Sequence, residues 1–228
     1  MIGIIGAMGV EVNALADLLE NKKTETISGV KFLSGKIFGS DVVLAVCGIG
    51  KVFAAICTQT MILKYNPDVI INSGVAGTLT DKLSIGDIAI ADSVVQHDMD
   101  TSPLGDPVGL ISGINIVKIP ADKKTFEKIE SCVKNTNINY QIGTIASGDQ
   151  FLANSSVKEK IVKNFGAIAG EMEGGAIGHV CYVNQKPFCV LRAISDCADG
   201  KGAENYMEFL DAAAKNAVSV MIDFIKKY

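Results

Sequence analysis

The sequence predicts a three-layer α/β/α sandwich, in which helices cover both faces of a mixed central sheet. Apolar residues make up 48% of the chain, a share that fits a sheet buried on both sides. Short β-branched runs alternate with segments of helical period, and turn signals near the N-terminus predict hairpins within the same sheet. The length of 228 residues fits one domain over residues 1–228.

The N-terminal part combines one strand-helix unit with hairpins. Residues 1–6 form a short β-branched run closed by glycine, and apolar positions in residues 10–19 then repeat with helical period. Residues 24–47 contain three strand-like pieces separated by glycine-containing turns. These hairpins exclude a strictly alternating order of strands and helices.

The middle of the chain contains a helix, two strands and a long irregular segment. A helical pattern over residues 51–65 stops before Pro67, since the residue preceding proline avoids the helical conformation. Strands are expected at residues 69–74 and 86–95. Residues 99–113, rich in glycine and proline, are predicted as an irregular loop, and loops of this length in compact domains are often functional.

The C-terminal part repeats strand and helix three times. The predicted pairs are residues 141–147 with 155–164, 167–172 with 173–183, and 187–195 with 205–227. In α/β folds of this kind, ligands bind at the carboxyl ends of the strands. We therefore expect the chemistry to lie just after the apolar runs.

Composition and charge exclude several classes of function. The net charge is −4 with dispersed basic residues, so nucleic acid and anionic membrane surfaces are poor partners. No apolar run approaches the roughly 18 residues of a membrane span, and no signal peptide is evident. The six cysteines form no CxxC pair, which favours reduced thiols in a soluble, cytoplasmic protein.

Three carboxylates follow apolar runs and are the strongest candidates for chemistry. Asp196 ends one such run beside Arg192 and Ser195, and partly apolar surroundings would raise its pKa and favour a proton donor. An equally good interpretation makes Asp196 the N-cap of the last helix. Glu11 alone is better explained as a first-turn helix residue.

Glu171 and Glu173 lie at a strand-to-helix junction, where strand alternation sends both to the same side. They could simply complement the helix dipole. The helix that follows is rich in glycine and alanine and almost uncharged, which indicates close packing in the core. Two glutamates at its start are therefore unlike ordinary solvated charges.

Phosphate and metal sites are not supported. The glycines at 48 and 50 lack the spacing of a P-loop, and those at 3, 6 and 9 do not form a dinucleotide-binding motif. The chain has two histidines, at 97 and 179, and a loop hydrogen-bond network explains His97 better than a metal site. We expect no metal and no cofactor.

Four motifs together carry a family resemblance: Ile2-Gly-Ile-Ile-Gly-Ala-Met8 with Glu11, Ser147-Gly-Asp-Gln-Phe151-Leu152, Glu171-Met172-Glu173, and Arg192-Ala-Ile-Ser195-Asp196. In this order they resemble the bacterial methylthioadenosine/S-adenosylhomocysteine nucleosidases, from the first strand to the last helix. The resemblance implies a nucleoside phosphorylase-like fold, a homodimer, no cofactor, and hydrolysis of the adenine–ribose bond of both nucleosides, and of 5′-deoxyadenosine.

The resemblance also implies a role for each candidate residue. Asp196 would protonate adenine at N7, with Ser195 beside it, and Glu173 would hold the ribose hydroxyls. Glu11 would deprotonate the attacking water, with Arg192 placing the water or orienting a carboxylate. The remaining substrate-binding residues would be Met8, Ile49, Val75, Ala76, Gly77, Phe151, Leu152, Gly170, Glu171, Met172 and Tyr206.

The chain departs from the family pattern at the loop of residues 99–113. The family usually sends an aromatic side chain from this loop across the dimer interface to cover the 5′ group, and here Leu104 and Ser112 stand in its place. Val75 also stands where a serine is common, and Gly170 replaces a bulkier residue. Leu104 is thus expected in the partner's site, and the preferred 5′ substituent is left open.

Two rival functions share this fold. A purine nucleoside phosphorylase needs arginines for phosphate, and neither the Glu11 region nor residues 74–77 carry one. A futalosine-type nucleosidase would keep similar carboxylates and differ around the 5′ end. A catalytically silent nucleoside-binding protein is a third possibility, which the presence of all three carboxylates disfavours.

Overall fold

The computed structural model describes residues 1–197 and 202–228 of the chain. These residues contain ten strands and six α-helices, joined by loops. The strands are β1 (Ile2–Gly6), β2 (Glu20–Ile27), β3 (Val30–Ile37), β4 (Ser40–Val46), β5 (Val69–Thr78), β6 (Ile88–Gln96), β7 (Ile119–Pro120), β8 (Tyr140–Ser147), β9 (Ala169–Glu171) and β10 (Phe188–Cys197). The helices are α1 (Gly9–Ala16), α2 (Lys51–Tyr65), α3 (Lys123–Val133), α4 (Ser155–Phe165), α5 (Gly174–Val183) and α6 (Gly202–Lys226). A short 3-10 helix spans Ser102–Leu104.

The strands form a mixed sheet whose central members are parallel. β1 pairs in parallel with β4 and β5, and β5 pairs in parallel with β10. β2, β3 and β4 form antiparallel hairpins at one end, as the turn signals predict. Strand β10 also pairs with β6. In turn, β6 pairs with β8, β8 with β9, and β9 with β5. Five strands therefore close into a ring.

Helices cover both faces of this sheet, and each face has its own apolar core. Helices α1, α3 and α6 pack together on one face, while α2 packs against α5 on the other. Strand β5 lies between the layers and is buried along its whole length. The predicted three-layer arrangement is confirmed. The closure of five strands into a ring was not indicated by the sequence pattern.

Two features in the middle of the chain match the prediction, and one helix was not predicted. Helix α2 ends at Tyr65, and Asn66 closes it in the left-handed conformation immediately before Pro67, as predicted. Helix α3 was not predicted, and its buried residues Ile129, Cys132 and Val133 lie in a segment that also contains three lysines and two glutamates. Residues 99–113 are irregular as predicted, apart from the 3-10 helix and one isolated bridge from Ile111 to Ile116.

Candidate active site

A cavity of about 310 Å³ opens beside the ends of β1, β5, β9 and β10. Every residue proposed from the sequence lines it except Arg192 and Leu104. The lining residues are Ala7, Met8, Glu11, Ile49, Val75, Ala76, Gly77, Gln150, Phe151, Leu152, Gly170, Glu171, Met172, Glu173, Ser195, Asp196 and Tyr206. Four carboxylates thus share one mostly apolar cavity.

A β-bulge in β10 brings Asp196 into the cavity. Ile194 pairs with Ala76 and Asp196 pairs with Gly77, so Ser195 is the extra residue on β10. Bulges of this kind redirect a side chain at the end of a strand. Ser195 Oγ lies 2.7 Å from Asp196 Oδ1 and can donate a hydrogen bond to it.

Asp196 is not the N-cap of the last helix. It belongs to β10, and α6 begins at Gly202. A Cβ atom on Gly77 would come within 2.8 Å of Asp196 Oδ2, so the glycine leaves room for the carboxylate. Asp196 is 4% exposed, and its carboxylate lies in the cavity wall rather than in solvent.

A fully buried ion pair joins Glu171 to Arg192 beneath the cavity. Glu171 also accepts hydrogen bonds from Ser147 Oγ and from the backbone N–H groups of Glu173 and Gly174, the latter two at 2.9 and 2.7 Å. It therefore satisfies donors at the N-terminus of α5, as early-helix acids do. Removing either member of such a pair costs about 3–5 kcal/mol of stability, because a buried charge is left alone.

Arg192 orients carboxylates from below the cavity. Its Nη2 group also donates to Asn72 Oδ1 and lies 3.4 Å from Glu173 Oε2. Because the side chain is buried and does not line the cavity, the geometry favours the carboxylate-orienting alternative over direct placement of a water molecule.

Glu173 is held at the start of α5 with its carboxylate facing the cavity. Gly50 donates its backbone N–H to Glu173 Oε1 at 2.8 Å. Burial, and then the nearby Glu171, raise the pKa of Glu173 to about 7, although Arg192 opposes the shift. Glu173 is therefore a carboxyl group that titrates near neutral pH.

Glu11 is both a first-turn helix residue and part of the cavity wall. It lies in the first turn of α1, and its Oε2 accepts the N–H groups of Ala7 and Met8 at 2.7 and 2.9 Å. Its Oε1 accepts the N–H of Val75 at 3.1 Å. Burial raises the pKa of Glu11, although Arg192 and these backbone donors act in the opposite direction. A helix-capping glutamate is thus also part of the cavity wall.

Aromatic and apolar side chains form the outer wall. The rings of Phe151 and Tyr206 meet edge to face with centroids 5.7 Å apart, and Phe151 is 47% exposed. The Tyr206 hydroxyl lies 3.3 Å from Met8 Sδ. Ile49 and Met172 complete this side, which suits a ligand with one planar and one apolar group.

Leu104 does not belong to the cavity of its own chain. It lies in the 3-10 helix of the 99–113 loop and is 84% exposed. This position leaves open the expectation that Leu104 reaches a partner's site.

Several residues that build the site were not predicted from the sequence. Asn72 is a polar residue inside the apolar run of β5, which was a usable signal. Gly74 must be a glycine, because a side chain there would collide with Arg192 and Glu11. Gly50, Ala7 and Gln150 gave no comparable signal, since two of them act through their backbone and Gln150 only lines the wall.

Metal clusters and membrane-spanning helices are absent from residues 1–197 and 202–228. No group of three or more histidine, cysteine, aspartate or glutamate side chains in these ranges could hold a metal ion. Within the same ranges, no helix has the length and apolar character needed to cross a membrane.

Comparison with known proteins places the chain in a family. The model of the phosphorylase superfamily matches residues 1–226. A 5′-methylthioadenosine/S-adenosylhomocysteine nucleosidase of Staphylococcus haemolyticus is 41% identical over 227 residues, covering 99% of each chain. A nucleosidase of the same name from Neisseria meningitidis, solved with methylthio-immucillin-A, has a TM-score of 0.96 at 32% identity, covering 100% of this chain and 99% of the other.

A futalosine hydrolase of Helicobacter pylori is similar in structure to the same degree. Its TM-score is 0.95 at 32% identity, over 100% of this chain and 97% of the other. The Staphylococcus haemolyticus nucleosidase nevertheless matches 99% of this chain at 41% identity, which is higher than the 32% identity of the futalosine hydrolase. The chain therefore belongs to the phosphorylase superfamily and, within it, to the family of 5′-methylthioadenosine/S-adenosylhomocysteine nucleosidases.

Proposed function

We propose that this chain hydrolyses the N-glycosidic bond of 5′-methylthioadenosine and S-adenosylhomocysteine, releasing adenine and the 5-substituted ribose. The observation that carries the proposal is the convergence of Glu11, Glu173 and Asp196 on one cavity with an apolar outer wall. Such a reaction would serve methionine salvage. Breaking this bond requires an acid for the departing base, a charge that stabilises the ribose, and a base for the attacking water.

Asp196 is the proposed general acid. Adenine leaves poorly as an anion, and protonation at N7 lets it depart as a neutral base. The Ser195 hydroxyl, 2.7 Å from Oδ1, fixes the orientation of the carboxyl group. General acid catalysis of this type contributes roughly 10²–10⁴ in rate.

Glu173 is the proposed ribose ligand. The sugar gains positive charge as the bond breaks, and a carboxylate that accepts its hydroxyl hydrogen bonds stabilises the transition state more than the ground state. The N–H of Gly50 at 2.8 Å and the Arg192 guanidinium at 3.4 Å hold the two oxygens in place. The carboxylate does not need to reorganise during the reaction.

Glu11 is the proposed base for the attacking water. Its raised pKa suits a group that must take up a proton. Inverting glycosidases use the same arrangement, in which a base activates water on one face of the sugar and an acid protonates the leaving group on the other. Backbone donors from Ala7, Met8 and Val75 keep Glu11 in position.

Hydrolysis is favoured over phosphorolysis by the distribution of positive charge. Arg192 is the only arginine in the sequence, and it is buried in an ion pair with Glu171. A phosphate nucleophile needs cationic or multiple N–H donors facing the cavity. The backbone donors next to Glu11 are already occupied by its carboxylate.

A substrate panel tests the proposal directly. We expect phosphate-independent adenine release from methylthioadenosine and S-adenosylhomocysteine, and slower release from adenosine, whose 5′ hydroxyl would be placed against an apolar wall. The panel should include 5′-deoxyadenosine, inosine and futalosine, with the released base quantified by chromatography. Formation of a ribose 1-phosphate, or turnover of futalosine alone, would contradict the proposed reaction.

We further propose that two copies of the chain associate through α2. Along this helix, exposed apolar side chains recur on one side, and further ones lie on the adjoining α5. They are Ile49, Val52, Phe53, Ile56, Leu63, Tyr182 and Val183. Exposed apolar patches of this kind mark association surfaces, and the patch begins at Ile49, which also lines the cavity. The loop of residues 99–113, with Leu104, would then contribute to the partner's site.

The dimer proposal predicts the effect of one charged substitution. Val52 is 69% exposed, so Val52→Asp should leave the fold of one chain intact while placing charge in the interface. We expect sedimentation velocity to change from a dimer to a monomer and adenine release to fall. Phe38→Asp is the matched control, since Phe38 is exposed on the β3–β4 turn. A wild-type protein that sediments as a monomer would reject the interface.

We propose the cytoplasm as the compartment of the reaction. Cys47, Cys57, Cys132, Cys181 and Cys189 are buried and form no disulfides, a pattern typical of reducing compartments. No cofactor is part of the proposed mechanism.

A further inference from the structure

Lys51, Asp98 and Asp149 form a closed ring of hydrogen bonds next to the cavity. The Lys51 ammonium contacts Asp98 Oδ1 at 2.6 Å, and Asp98 Oδ2 accepts the backbone N–H of Asp149 at 3.0 Å. Asp149 Oδ1 then accepts the backbone N–H of Lys51 at 2.8 Å. Each residue is therefore bound to both of the others.

The ring connects three segments that are far apart in sequence. Lys51 begins α2, Asp98 follows β6, and Asp149 lies between β8 and α4. Two of these segments supply cavity residues directly: Ile49 lies two positions before Lys51, and Phe151 lies two positions after Asp149. The third segment leads into the 99–113 loop.

Gly50 lies directly beside the ring, one position before Lys51. This residue is the N-cap of α2, offers no side chain to the helix, and has a φ of 99°. Its N–H donates to Glu173 Oε1 at 2.8 Å. Asp149 replaces the missing cap by binding the next N–H, that of Lys51, and carboxylates are favourable at a helix N-terminus. Movement of Asp149 would therefore move the donor that holds Glu173.

The charged side chains of Lys51 and Asp98 are paired with each other and largely shielded from solvent. The side chains of Lys51 and Asp98 are each 19% exposed, so the ion pair is better shielded than a surface pair. Burial acts to raise the pKa of Asp98, but hydrogen bonds from Lys51 and from the N–H of Asp149 outweigh it and lower the pKa. Asp98 is thus held as a carboxylate.

We propose that Lys51, Asp98 and Asp149 are positioning residues for hydrolysis, which hold the Gly50 N–H against Glu173 and fix the Phe151 segment relative to it. The inference rests on the proposed function. None of the three side chains lines the cavity, so each acts through the backbone that it holds. Misplacement of catalytic groups by about 1 Å costs roughly 10²-fold in rate, and this sets the scale of the expected effects.

The experiment compares two substitutions at Asp149. The conservative change Asp149→Asn keeps an oxygen that accepts the Lys51 N–H, whereas Asp149→Ala removes it. We expect Asp149→Ala to lower kcat for methylthioadenosine at least about tenfold, with a smaller change in KM. Asp149→Asn should remain within about threefold of the wild type. If Asp149 only stabilised the fold, Asp149→Ala would lower the melting temperature, but the kcat values of the two variants would not differ in this way.

The ion pair is tested by a double-mutant cycle. Lys51→Met and Asp98→Asn should each lower kcat, and the double variant should lose no more than the larger single loss, because both break the same contact. The control is Asp41→Asn, which breaks the exposed Lys36–Asp41 ion pair, 2.8 Å long and away from the cavity. A wild-type kcat in either single variant, or additive losses in the double variant, would show that the residues of the ring do not act together.

Amide hydrogen exchange provides a measurement independent of the substrate. Asp149→Ala should speed exchange at Gly50 and Lys51 by about tenfold or more, while Asp41→Asn leaves these amides unchanged. If the wild type releases no adenine from methylthioadenosine, the proposed function fails, and exchange still decides whether the ring holds Gly50. Unchanged exchange in Asp149→Ala would show that it does not.

Discussion

Replacing Asp196 with asparagine should lower kcat for methylthioadenosine by about 10²–10⁴-fold, the range that a general acid contributes. The asparagine keeps the size of the side chain and an oxygen that can accept the Ser195 hydrogen bond. Its amide cannot transfer a proton to N7, so the base must leave as an anion. The measurement is initial-rate kinetics of adenine release, with circular dichroism to establish the fold.

A substrate that does not need protonation separates chemistry from misfolding. A nitrophenyl riboside has a leaving group that departs as a stable anion, so Asp196→Asn should hydrolyse it at nearly the wild-type rate. Ser195→Ala should have a smaller effect on methylthioadenosine than Asp196→Asn, because Ser195 only orients the carboxyl group. A loss of similar size on both substrates would argue against Asp196 as the acid.

The sequence was sufficient to locate the carboxylates but not their geometry. Asp196 could be placed at the end of an apolar run, yet its direction depends on the β-bulge at Ser195, and a bulge is set by pairing with β5 rather than by local sequence. The alternative as a helix N-cap was wrong for the same reason. At Glu11 the local interpretation was correct but incomplete, since its third donor, Val75, is 64 residues away.

The fold class followed from periodicity, while two parts of the architecture did not. Closure of five strands into a ring depends on β10 pairing with both β5 and β6, a long-range choice that no single strand encodes. Helix α3 was missed because lysines and glutamates dominate its sequence. Its apolar face packs against α6, and the helical spacing of Ile129, Cys132 and Val133 was nevertheless a usable signal.

The polar network beneath the cavity was the least predictable part of the site. Arg192 gains its function from Glu171 and Asn72, which come from β9 and β5. Gly74 is required because a Cβ atom at this position would collide with the side chains of Arg192 and Glu11. These constraints arise between elements distant in sequence, and a single sequence without structure contains them only as isolated polar or glycine residues.

Replacing Glu173 with glutamine should lower kcat/KM for methylthioadenosine by about 10²–10³-fold, the size of effect seen when one preorganised electrostatic contact to a transition state is removed. Glutamine keeps an oxygen for the Gly50 N–H but carries no negative charge to offset the developing charge on the ribose. The fold should persist, since the buried Glu171–Arg192 pair is untouched.

Because burial raises the pKa of Glu173 to about 7, we expect the rate of the proposed reaction to depend on pH near neutrality. Below pH 7 a growing fraction of the free enzyme has a neutral Glu173, and one unit lower only roughly a tenth is ionised. Wild-type kcat/KM should therefore rise between about pH 6 and about pH 8. Glu11, whose pKa is also raised, contributes to the same limb, so Glu173→Gln should flatten the profile without abolishing it.

Stability should change with pH in the opposite direction to activity. The folded chain keeps a proton on Glu173 up to about pH 7, whereas an unperturbed glutamate carboxyl has a pKa of 4.5. Between these two values the unfolded state binds fewer protons, so the wild type loses stability as pH rises through this window. Glu173→Gln removes that loss, and its melting temperature should vary less between about pH 5 and about pH 8. A variant that is inactive but equally pH-sensitive in melting would show that Glu173 is not the group that titrates near neutral pH.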